Sequence, residues 1–353
     1  MTQRTLAALV AVPLFVALGL VAAVKPLPFV TYAPGLTVNV LGDNGKEPII
    51  SVQGHRTYHD DGQLRMTTVS VTERNARLDL FTLMRTWFSR NDAVYPFSSV
   101  YGTTGNQEED AQEGQVQMRT SQQSAEVAAL TALGYDLHPE VRVVEVTKGM
   151  PAEGKLRVHD ELLRVGGTRV TETTDVAGLI ANVPEGASVP ITVKRDGKTV
   201  TVRLTPVHKD GARLVGITLS PHYHFPFKVK VNISEAIGGP SAGLIFALSI
   251  YDTLTPGSIT DGQVVAGTGT IDAQGRVGEI GGIQQKIAGA RQDGAQLFLV
   301  PPANCADALG SNHGSMRLAK AATLKDAIAD VTAWTADHDA PLTPCTAADG
   351  APS

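Results

Sequence analysis

The sequence predicts a mixed α+β protein of two or three domains, preceded by an apolar N-terminal helix. A chain of 353 residues is too long for one ordinary hydrophobic core. Residues 5–24 carry no charge, and later regions alternate between short β-patterned runs, glycine-rich turns and short apolar helices. The net charge of −5 gives no electrostatic reason to expect nucleic acid as a partner.

The N-terminal segment, residues 1–25, is interpreted as a transmembrane anchor. About 20 apolar residues span the hydrocarbon core of a bilayer as a helix, and the run from Thr5 to Val24 has that length. Pro13 and Gly19 are tolerated in such a helix. A cleaved signal peptide is the competing interpretation, although its apolar region would be shorter and its cleavage site clearer. Either interpretation places the bulk of the chain outside the cytoplasm.

Residues 26–122 are expected to form an extracytoplasmic region that ends in a connector. Residues 65–72 alternate as a β-strand does, and residues 78–89 have a helical pattern. This region is a candidate first part of the later α/β domain. Residues 106–123 are polar and acidic, which favours a flexible connector.

Residues 123–208 predict a small domain rich in β-strands. Its turns and apolar runs alternate at short intervals, and a hairpin is expected around Asp196-Gly197. The expected elements are a helix at 126–133, strands at 141–146 and within 156–167, a helix at 176–183 and hairpin strands at 189–194 and 199–204.

The hexapeptide Gly238-Gly239-Pro240-Ser241-Ala242-Gly243 is the most informative motif, and it lies in the last predicted domain, residues 209–336. It follows a strand pattern and precedes a buried helix pattern, so Ser241 stands where a glycine-rich turn opens into a helix. A hydroxyl there is exposed, and backbone N–H groups at the helix start can receive an oxyanion. Ser241 is therefore a candidate nucleophile, and its alternative role is that of a helix cap.

A serine nucleophile needs a base, and the residues leave two candidates open. One is His313, with Asp272 or Asp293, as in α/β-hydrolases. That arrangement places the serine directly after a strand, whereas several residues intervene here. The other is Lys286, which follows a Gly-Gly turn in a predicted helix.

Lys286 shares the apolar face of its predicted helix with Ile283, Ile287 and Ala290. Most lysines in that position send the amine to water. Full burial instead lowers a lysine pKa by up to ~5 units. A neutral amine can then take a proton from a serine hydroxyl.

Three motifs occurring in order resemble the proteolytic domain of Lon proteases. They are Gly-Pro-Ser-Ala-Gly at 239–243, Thr-Gly-Thr-Ile-Asp at 268–272, and Ile-Gly-Gly-Ile at 280–283 followed by Lys286. The resemblance implies a Ser–Lys dyad with Ser241 as nucleophile and Lys286 as general base. It also implies that Thr268 orients the lysine, with Gly239 and Pro240 supporting the nucleophile.

Residues 123–208 resemble a PDZ domain of the kind found in bacterial proteases. Gly-Met-Pro-Ala at 149–152 is followed by a Leu-x-x-x-Asp-x-Leu pattern at 156–162, with Val158-His159-Asp160 where Gly-Asp is usual. Such domains add a peptide as a strand to their own sheet. The loop for the peptide carboxylate is expected near Leu133-Gly134-Tyr135, although no clear Gly-Leu-Gly-Phe is present. A rigid spacer is the alternative role.

The two cysteines, Cys305 and Cys345, flank a predicted helix near the C-terminus. A disulfide between them would tie the tail, residues 337–353, back onto the α/β domain, and such bonds form in oxidising compartments. Two free thiols are the alternative. His222 and His224 would share a strand face, but no third ligand is evident, so no metal site is expected.

Together the motifs resemble the bacterial Lon-like proteases that carry a PDZ domain and a membrane anchor. This resemblance implies a single-pass membrane protein with an extracytoplasmic serine endopeptidase that acts on proteins or peptides. No Gly-x-x-x-x-Gly-Lys-Ser/Thr loop is present, so cleavage of flexible or unfolded segments is expected to be independent of ATP and to need no cofactor. Lon domains commonly form hexamers, which makes a homo-oligomer a candidate state. The alternatives are a PDZ adaptor or chaperone with an inactive protease fold, and an α/β-hydrolase esterase.

Overall fold

The structure is a computed structural model, and it describes residues 3–45, 47–59, 61–102, 104–171, 174–209 and 211–350. Within the N-terminal helix, the side chains of residues 4–6, 8 and 22–24 lie outside the described part. The chain divides into two units. One, called the split unit, is built from Met1–Tyr135 and Phe227–Ser353, and the other, called the inserted unit, is Asp136–Pro226.

A six-stranded mixed sheet organises the split unit. Numbered along the whole chain, its strands are β1 Phe29–Asn39, β5 Gln63–Val71, β6 Ala93–Pro96, β16 Val264–Gly267, β19 Leu297–Val300 and β20 Arg317–Lys320. They lie in the order β20-β19-β16-β5-β1-β6. The first four are parallel, while β1 is antiparallel to both β5 and β6. A register shift between Pro34 and Thr37 marks a bulge in β1.

Six short strands of the split unit pair outside this sheet. They are β2 Asp43–Asn44 with β3 Glu47–Pro48, β4 Ile50–Gln53 with β15 Lys228–Val231, and β17 Thr270–Ile271 with β18 Val277–Gly278. The β4–β15 pair joins a strand from each of the two segments of the split unit.

The described helices of the split unit are α1 Gln3–Val24, α2 Leu80–Phe88, α3 Phe97–Tyr101, α4 Gln107–Ala132, α6 Gly243–Leu254, α7 Ile283–Gln292, α8 Cys305–Leu309 and α9 Leu324–Ala336, with a 3-10 turn at Pro302–Asn304. Helices α6 and α7 pack on the main sheet from opposite faces. On one face, Ile283 and Ile287 of α7 pack with Phe298 of β19. Side chains alternate along a strand, and on the opposite face a Cβ on Gly267 would stand 3.0 Å from Ile245 of α6.

Helix α4 corrects the prediction of a flexible connector at residues 106–123. One continuous helix of 26 residues replaces both that connector and the short helix expected at 126–133. Asn106 caps it by accepting from the N–H groups of Glu108 and Glu109. Polar residues of its first turns, such as Glu108 and Glu113, are exposed, while Met118, Ser121 and Leu130 are buried, and α4 packs against α6. The polar composition of residues 106–123 therefore concealed a helix that buries part of its surface.

The apolar N-terminal run forms helix α1, whose bounds are Gln3–Val24. Among the residues that the structure describes, no helix has the length and apolar character needed to cross a membrane.

Antiparallel strands and one helix form the described part of the inserted unit. They are β7 Glu140–Val146, β8 Glu161–Val165, β9 Thr168–Arg169, β10 Val189–Arg195, β11 Lys198–Leu204, β12 Val207–Lys209, β13 Ala212–Leu214, β14 Ile217–His222 and helix α5 Val176–Ala181. The sheet order is β11-β10-β8-β7-β14, with β9 on β8, and β12 pairs with β13. Leu162, Ile191, Val193 and Leu204 are among the residues of its core.

Among the described residues of the inserted unit, Asp160 is a buried carboxylate, and it has a cationic partner. Asp160 is 1% exposed and accepts from Arg195 Nε at 2.7 Å and Nη2 at 2.6 Å. The backbone N–H of Arg157 donates to the same carboxylate. Burial raises the pKa of Asp160, but these hydrogen bonds outweigh it and leave the pKa below its usual value. His159, where glycine is usual, has φ +74°.

The structure contains a disulfide between Cys305 and Cys345, with a Cα–Cα distance of 5.1 Å. Cys305 begins α8 and is buried, and Cys345 packs against the same hydrophobic cluster. The bond holds the C-terminal tail on the α7–α8 side of the split unit.

Candidate active site

The turn that carries Ser241 lies just before α6 and is held by helix α4. Gly239 has φ +93°, a conformation that favours glycine, and its N–H donates to the Gly114 carbonyl at 2.9 Å. The hydroxyl of Ser121 donates to the Pro240 carbonyl at 2.9 Å. The first segment of the split unit therefore positions the serine of the second.

Lys286 points from α7 to the serine through the interior of the split unit. Its side chain is 3% exposed, and Nζ lies 2.7 Å from Ser241 Oγ. Nζ also donates to Thr268 Oγ1 at 3.0 Å, and that hydroxyl donates to the Ser241 carbonyl at 3.0 Å. The structure thus brings together the three side chains predicted to form the site, and Thr268 bridges the lysine to the serine backbone.

Helix α7 begins close to the sheet, and this sets the position of Lys286. Gly282 precedes the helix with φ +69°, and a Cβ there would stand 2.7 Å from Val69 Cγ2. At Gly289, near the end of the helix, an added Cβ would stand 3.2 Å from the Gly35 carbonyl oxygen. Glycine at both positions allows the close approach that lets a side chain of lysine length reach Ser241.

Burial lowers the pKa of Lys286 from 10.5 to about 7. Desolvation is the cause, and among the described residues the lysine has no ion pair with a carboxylate. A substantial fraction of the amine is therefore neutral near pH 7, and a neutral amine can accept the hydroxyl proton of Ser241.

The alternative base, His313, makes its hydrogen bond away from Ser241. Its Nδ1 lies 3.0 Å from the Met316 carbonyl. Asp272 pairs with Arg276 at 2.6 Å, and Asp293 pairs with Arg65 at 3.3 Å. The side chain that reaches Ser241 is the lysine.

A cavity of about 860 Å³ in the split unit contains Ser241 and Lys286. Residues 66–71 of β5 form one wall, and the β1 bulge with Leu36 forms another. β5 pairs with β16 only over Gln63–Met66, so the edge of β5 from Thr67 to Val71 is unpaired on that side among the described strands. An extended chain could pair with this edge beside the serine.

The sequence analysis missed Glu126, a second group of the split unit that titrates near neutral pH. Burial on α4 raises the pKa of this carboxyl to about 7, and a hydrogen bond from the Val229 backbone partly offsets the effect. Glu126 begins the short helix predicted at 126–133, and a single glutamate at the start of a helix carries no signal of burial.

The structure places Leu133, Gly134 and Tyr135, the predicted peptide-carboxylate loop, in the split unit and not in the inserted unit. These residues end helix α4 in the split unit, where Tyr135 Oη lies 3.2 Å from His55 Nε2. The inserted unit has its own cavity of about 520 Å³, lined by α5, by Lys209 and by residues 213–219. Residues 213–219 come after the PDZ-like motifs in the sequence, whereas the predicted loop, residues 133–135, comes before them.

The inserted-unit cavity has a glycine at a turn, as a loop that receives a peptide end requires. Gly216 has φ +79°, and a Cβ there would clash with Met150. Within the described parts of the chain, no three His, Cys, Asp or Glu side chains converge in a way that could hold a metal ion.

Two protein families match separate parts of the chain. Residues 115–205 match the family described as PDZ domain, and residues 213–329 match the Lon protease (S16) C-terminal proteolytic domain. The first match begins within α4 of the split unit and stops before β14, the strand that completes the sheet of the inserted unit.

Among curated proteins, the chain is similar to Lon proteases. Lon protease 1 of Thermus thermophilus is 28% identical over 184 residues, which cover 47% of this chain and 22% of that protein. The Lon protease of Halothermothrix orenii is 32% identical over 161 residues, which cover 41% of this chain and 19% of that protein. The similarity thus spans about a fifth of the length of these relatives.

Among solved structures, the chain is similar to the PDZ domain of the SdrC-like protein from Listeria monocytogenes. The identity is 27%, with 23% of this chain and 86% of that chain covered and a TM-score of 0.20, a value that carries no structural argument. Residues 115–205 are thus similar to PDZ domains, and residues 213–329 are similar to the proteolytic domain of Lon proteases.

Proposed function

We propose that this protein is a membrane-held, ATP-independent serine endopeptidase in which Ser241 is the nucleophile and Lys286 the general base. The observation that carries the proposal is the 2.7 Å contact between Lys286 Nζ and Ser241 Oγ in a buried site where the lysine pKa is lowered to about 7. A nucleophile in contact with a base of matched pKa is the arrangement that acyl transfer requires.

In the proposed reaction, neutral Lys286 accepts the proton of Ser241 as Oγ attacks the carbonyl carbon of the scissile peptide bond. The tetrahedral intermediate collapses, its C–N bond breaks, and the Lys286 ammonium returns the proton to the leaving amine. A water molecule, deprotonated by the same lysine, then releases the acyl group from Ser241. Pro240 has no N–H, and Ser241 and Ala242 lie immediately before the start of α6, so their backbone amides are the proposed oxyanion donors.

The proposed substrates are flexible or unfolded segments. The unpaired edge of β5 from Thr67 to Val71 supports binding of an extended chain, and the wall provided by Met66, Val69 and Leu36 favours apolar side chains. Independence from ATP is proposed because the 353 residues contain no phosphate-binding loop.

The direct test is peptide cleavage by purified full-length variants. Ser241→Ala and Lys286→Arg are each expected to lower kcat by about a thousandfold or more, since a guanidinium stays protonated. Leu309→Ser, at an exposed position of α8, is the control and should cleave as the wild type does. Retained activity in either site variant would contradict the dyad, and a rate that rises on addition of ATP would contradict ATP independence.

We further propose that the cavity of the inserted unit binds the C-terminal tail of a substrate or partner protein. The support is the position of Gly216 between α5 and β14 and the cationic Lys209 and Arg213 on its lining, which can attract a carboxylate. Binding of a fluorescent peptide with a free carboxylate, compared with its C-terminal amide, tests this. Equal affinity of the two peptides would contradict tail recognition.

Membrane attachment and an extracytoplasmic location belong to the same proposal. The charge-free run from Thr5 to Val24 and the exposed Leu9, Phe15 and Leu20 of α1 support attachment. The Cys305–Cys345 disulfide supports an oxidising compartment. Extraction of membranes with alkaline carbonate should leave the full-length protein in the pellet, and a thiol reagent should label the cysteines only after reduction. Release into the carbonate supernatant would contradict the anchor.

A further inference from the structure

Helix α2 presents an apolar face that the protein leaves exposed. Phe81 is 62% exposed, Phe88 is 79% exposed, and Met84 lies between them at spacings of three and four residues, so these side chains share one face. Trp87, beside them, is 73% exposed. We call these four residues the α2 patch. A contiguous apolar surface of this kind marks an interaction site, whereas single exposed apolar residues are common.

The α2 patch is tied to the segment that follows the apolar N-terminal helix. The N–H of Leu27, three residues after α1 ends, donates to the carbonyl of Leu78 at 2.9 Å. Leu78 lies two residues before α2, and α1 and α2 are in contact. Any surface that receives α1 is therefore within reach of the α2 patch.

Exposed arginines surround the α2 patch. Arg77 precedes the helix, Arg85 lies within it and Arg90 follows it, and all three are exposed. Two acidic residues lie beside these arginines in the chain: Asp79, which accepts from the Thr82 N–H as the helix N-cap, and Asp92, two residues after Arg90. A helix with aromatic residues on one face and arginines around it matches the interface of a bilayer with anionic headgroups.

We propose that the α2 patch docks on the lipid surface that holds α1, with Phe81, Trp87 and Phe88 at the level of the headgroups. This inference rests on the proposed membrane attachment. Aromatic side chains favour that level of a bilayer because one end is apolar and the other meets water. The second contact holds the split unit, and with it the serine site, against the membrane rather than on a free tether.

Tryptophan fluorescence tests the docking directly because the chain has two tryptophans in opposite environments. Trp334 is 2% exposed in the core, whereas Trp87 belongs to the α2 patch. Full-length protein is reconstituted into phosphatidylglycerol–phosphatidylcholine vesicles whose acyl chains are brominated near the headgroup. Trp87 emission is expected to shift to shorter wavelength and to be quenched, and Trp87→Phe should remove the quenched component while leaving the Trp334 emission.

A double variant tests the contribution of the aromatic contacts. Phe81→Ser with Phe88→Ser changes exposed positions, and the docking equilibrium should fall about tenfold for each phenylalanine. Trp87 quenching should then be lost while the protein still floats with vesicles through α1. Leu309→Ser, another exposed apolar position, is the matched control and should retain quenching.

Each outcome decides the proposal. Quenching that weakens when anionic lipid is omitted supports the role of the arginines, and quenching that does not depend on anionic lipid contradicts that role. A protein that floats with vesicles while Trp87 stays unquenched and open to acrylamide overturns the docking and leaves the anchor standing. A protein that does not float contradicts both. Shielding of Trp87 that rises with protein concentration in detergent assigns the patch to a second copy of the chain and overturns lipid docking.

Discussion

The two units bury two ionisable side chains in different ways. Asp160 in the inserted unit is 1% exposed and meets Arg195 and a backbone N–H, and its pKa lies below the usual value. Lys286 in the split unit is 3% exposed, its hydrogen bonds within the described part of the chain go to the hydroxyls of Ser241 and Thr268, and its pKa falls to about 7. One charge is compensated and the other is not.

The difference separates a structural charge from a reactive one. A buried ion that has a counter-ion keeps its charge and fixes the local structure, since losing the partner leaves an uncompensated charge. A buried amine without a counter-ion changes its protonation state near neutral pH, which makes it usable as a base. Both side chains are nearly inaccessible to solvent. The presence or absence of an opposite charge beside each one decides whether it keeps its charge.

The largest effect is expected from breaking the compensated pair. Arg195→Met leaves Asp160 buried without its counter-ion and should lower the free energy of unfolding of the inserted unit by about 3 to 5 kcal/mol. Urea unfolding followed by circular dichroism measures this. Lys194→Met, which removes the more exposed pair with Glu161 at 3.2 Å, is the control and should cost less than about 1 kcal/mol. Equal losses in the two variants would contradict the comparison.

The next effect concerns the uncompensated amine and the pH dependence of catalysis. Because Lys286 must be neutral to act as a base and its pKa is about 7, kcat/KM should be about a hundredfold lower at pH 5 than at pH 8. The rate should rise with pH and level off above pH 7. Initial rates of peptide cleavage across this range measure the profile.

Glu126, whose pKa is also raised to about 7, provides the control for that profile. Glu126→Gln should keep the midpoint, because the carboxyl lies on α4 and has no contact with Ser241 among those described. If the midpoint moved with Glu126→Gln, the profile would report the carboxyl rather than the lysine.

A smaller change tests the hydroxyl that joins lysine and serine. Thr268→Val removes an acceptor of Lys286 Nζ and a donor to the Ser241 carbonyl, and should lower kcat by about ten- to a hundredfold. Loss of that acceptor disfavours the ammonium, so the midpoint of the pH–rate profile should move to lower pH. Thr268→Ser should restore both values, and an unmoved midpoint in Thr268→Val would show that the threonine does not act on the amine.

Removing the uncompensated amine should stabilise the protein. Lys286→Met replaces it with an apolar chain of similar length, and a gain of about 1 to 2 kcal/mol is expected at pH 6. The unfolded lysine keeps its proton up to about pH 10.5 while the folded one releases it near pH 7, so wild-type stability rises with pH between these values. The gain of the variant should therefore shrink from pH 7 to pH 10.5, and a gain independent of pH would contradict the burial of a charge.

The smallest effect concerns the residue beside the compensated carboxylate. His159 has φ +74°, which costs a residue with a Cβ about 1 to 2 kcal/mol. His159→Gly should raise the free energy of unfolding by about 0.5 kcal/mol after the extra chain entropy of glycine is subtracted. His159→Ala keeps the Cβ and should bring no gain in thermal unfolding, and an equal gain would point to the imidazole rather than the backbone.

Short continuous motifs were enough to locate the candidate site in the sequence, while the catalytic roles of its residues stay predictions. The order of Ser241, Thr268 and Lys286 along the chain was enough to single out the three side chains that the structure joins. The prediction failed at residues 106–123, where a polar composition concealed the helix that holds the serine turn. Residues Leu133–Tyr135, predicted to receive a peptide carboxylate, lie in the split unit, whereas the sheet of the inserted unit is completed by its last strand in sequence, β14, which pairs with the first, β7.

The sequence by itself therefore identified the residue types available for acyl transfer. It also showed the apolar run at the N-terminus and the presence of two cysteines. Only the tertiary structure decided that Lys286 is buried without a counter-ion while Asp160 is buried with one. The physical reason is that desolvation and pairing depend on what surrounds an atom in space. Those neighbours come from distant segments: Ser241 lies 45 residues from Lys286, and Asp160 lies 35 residues from Arg195.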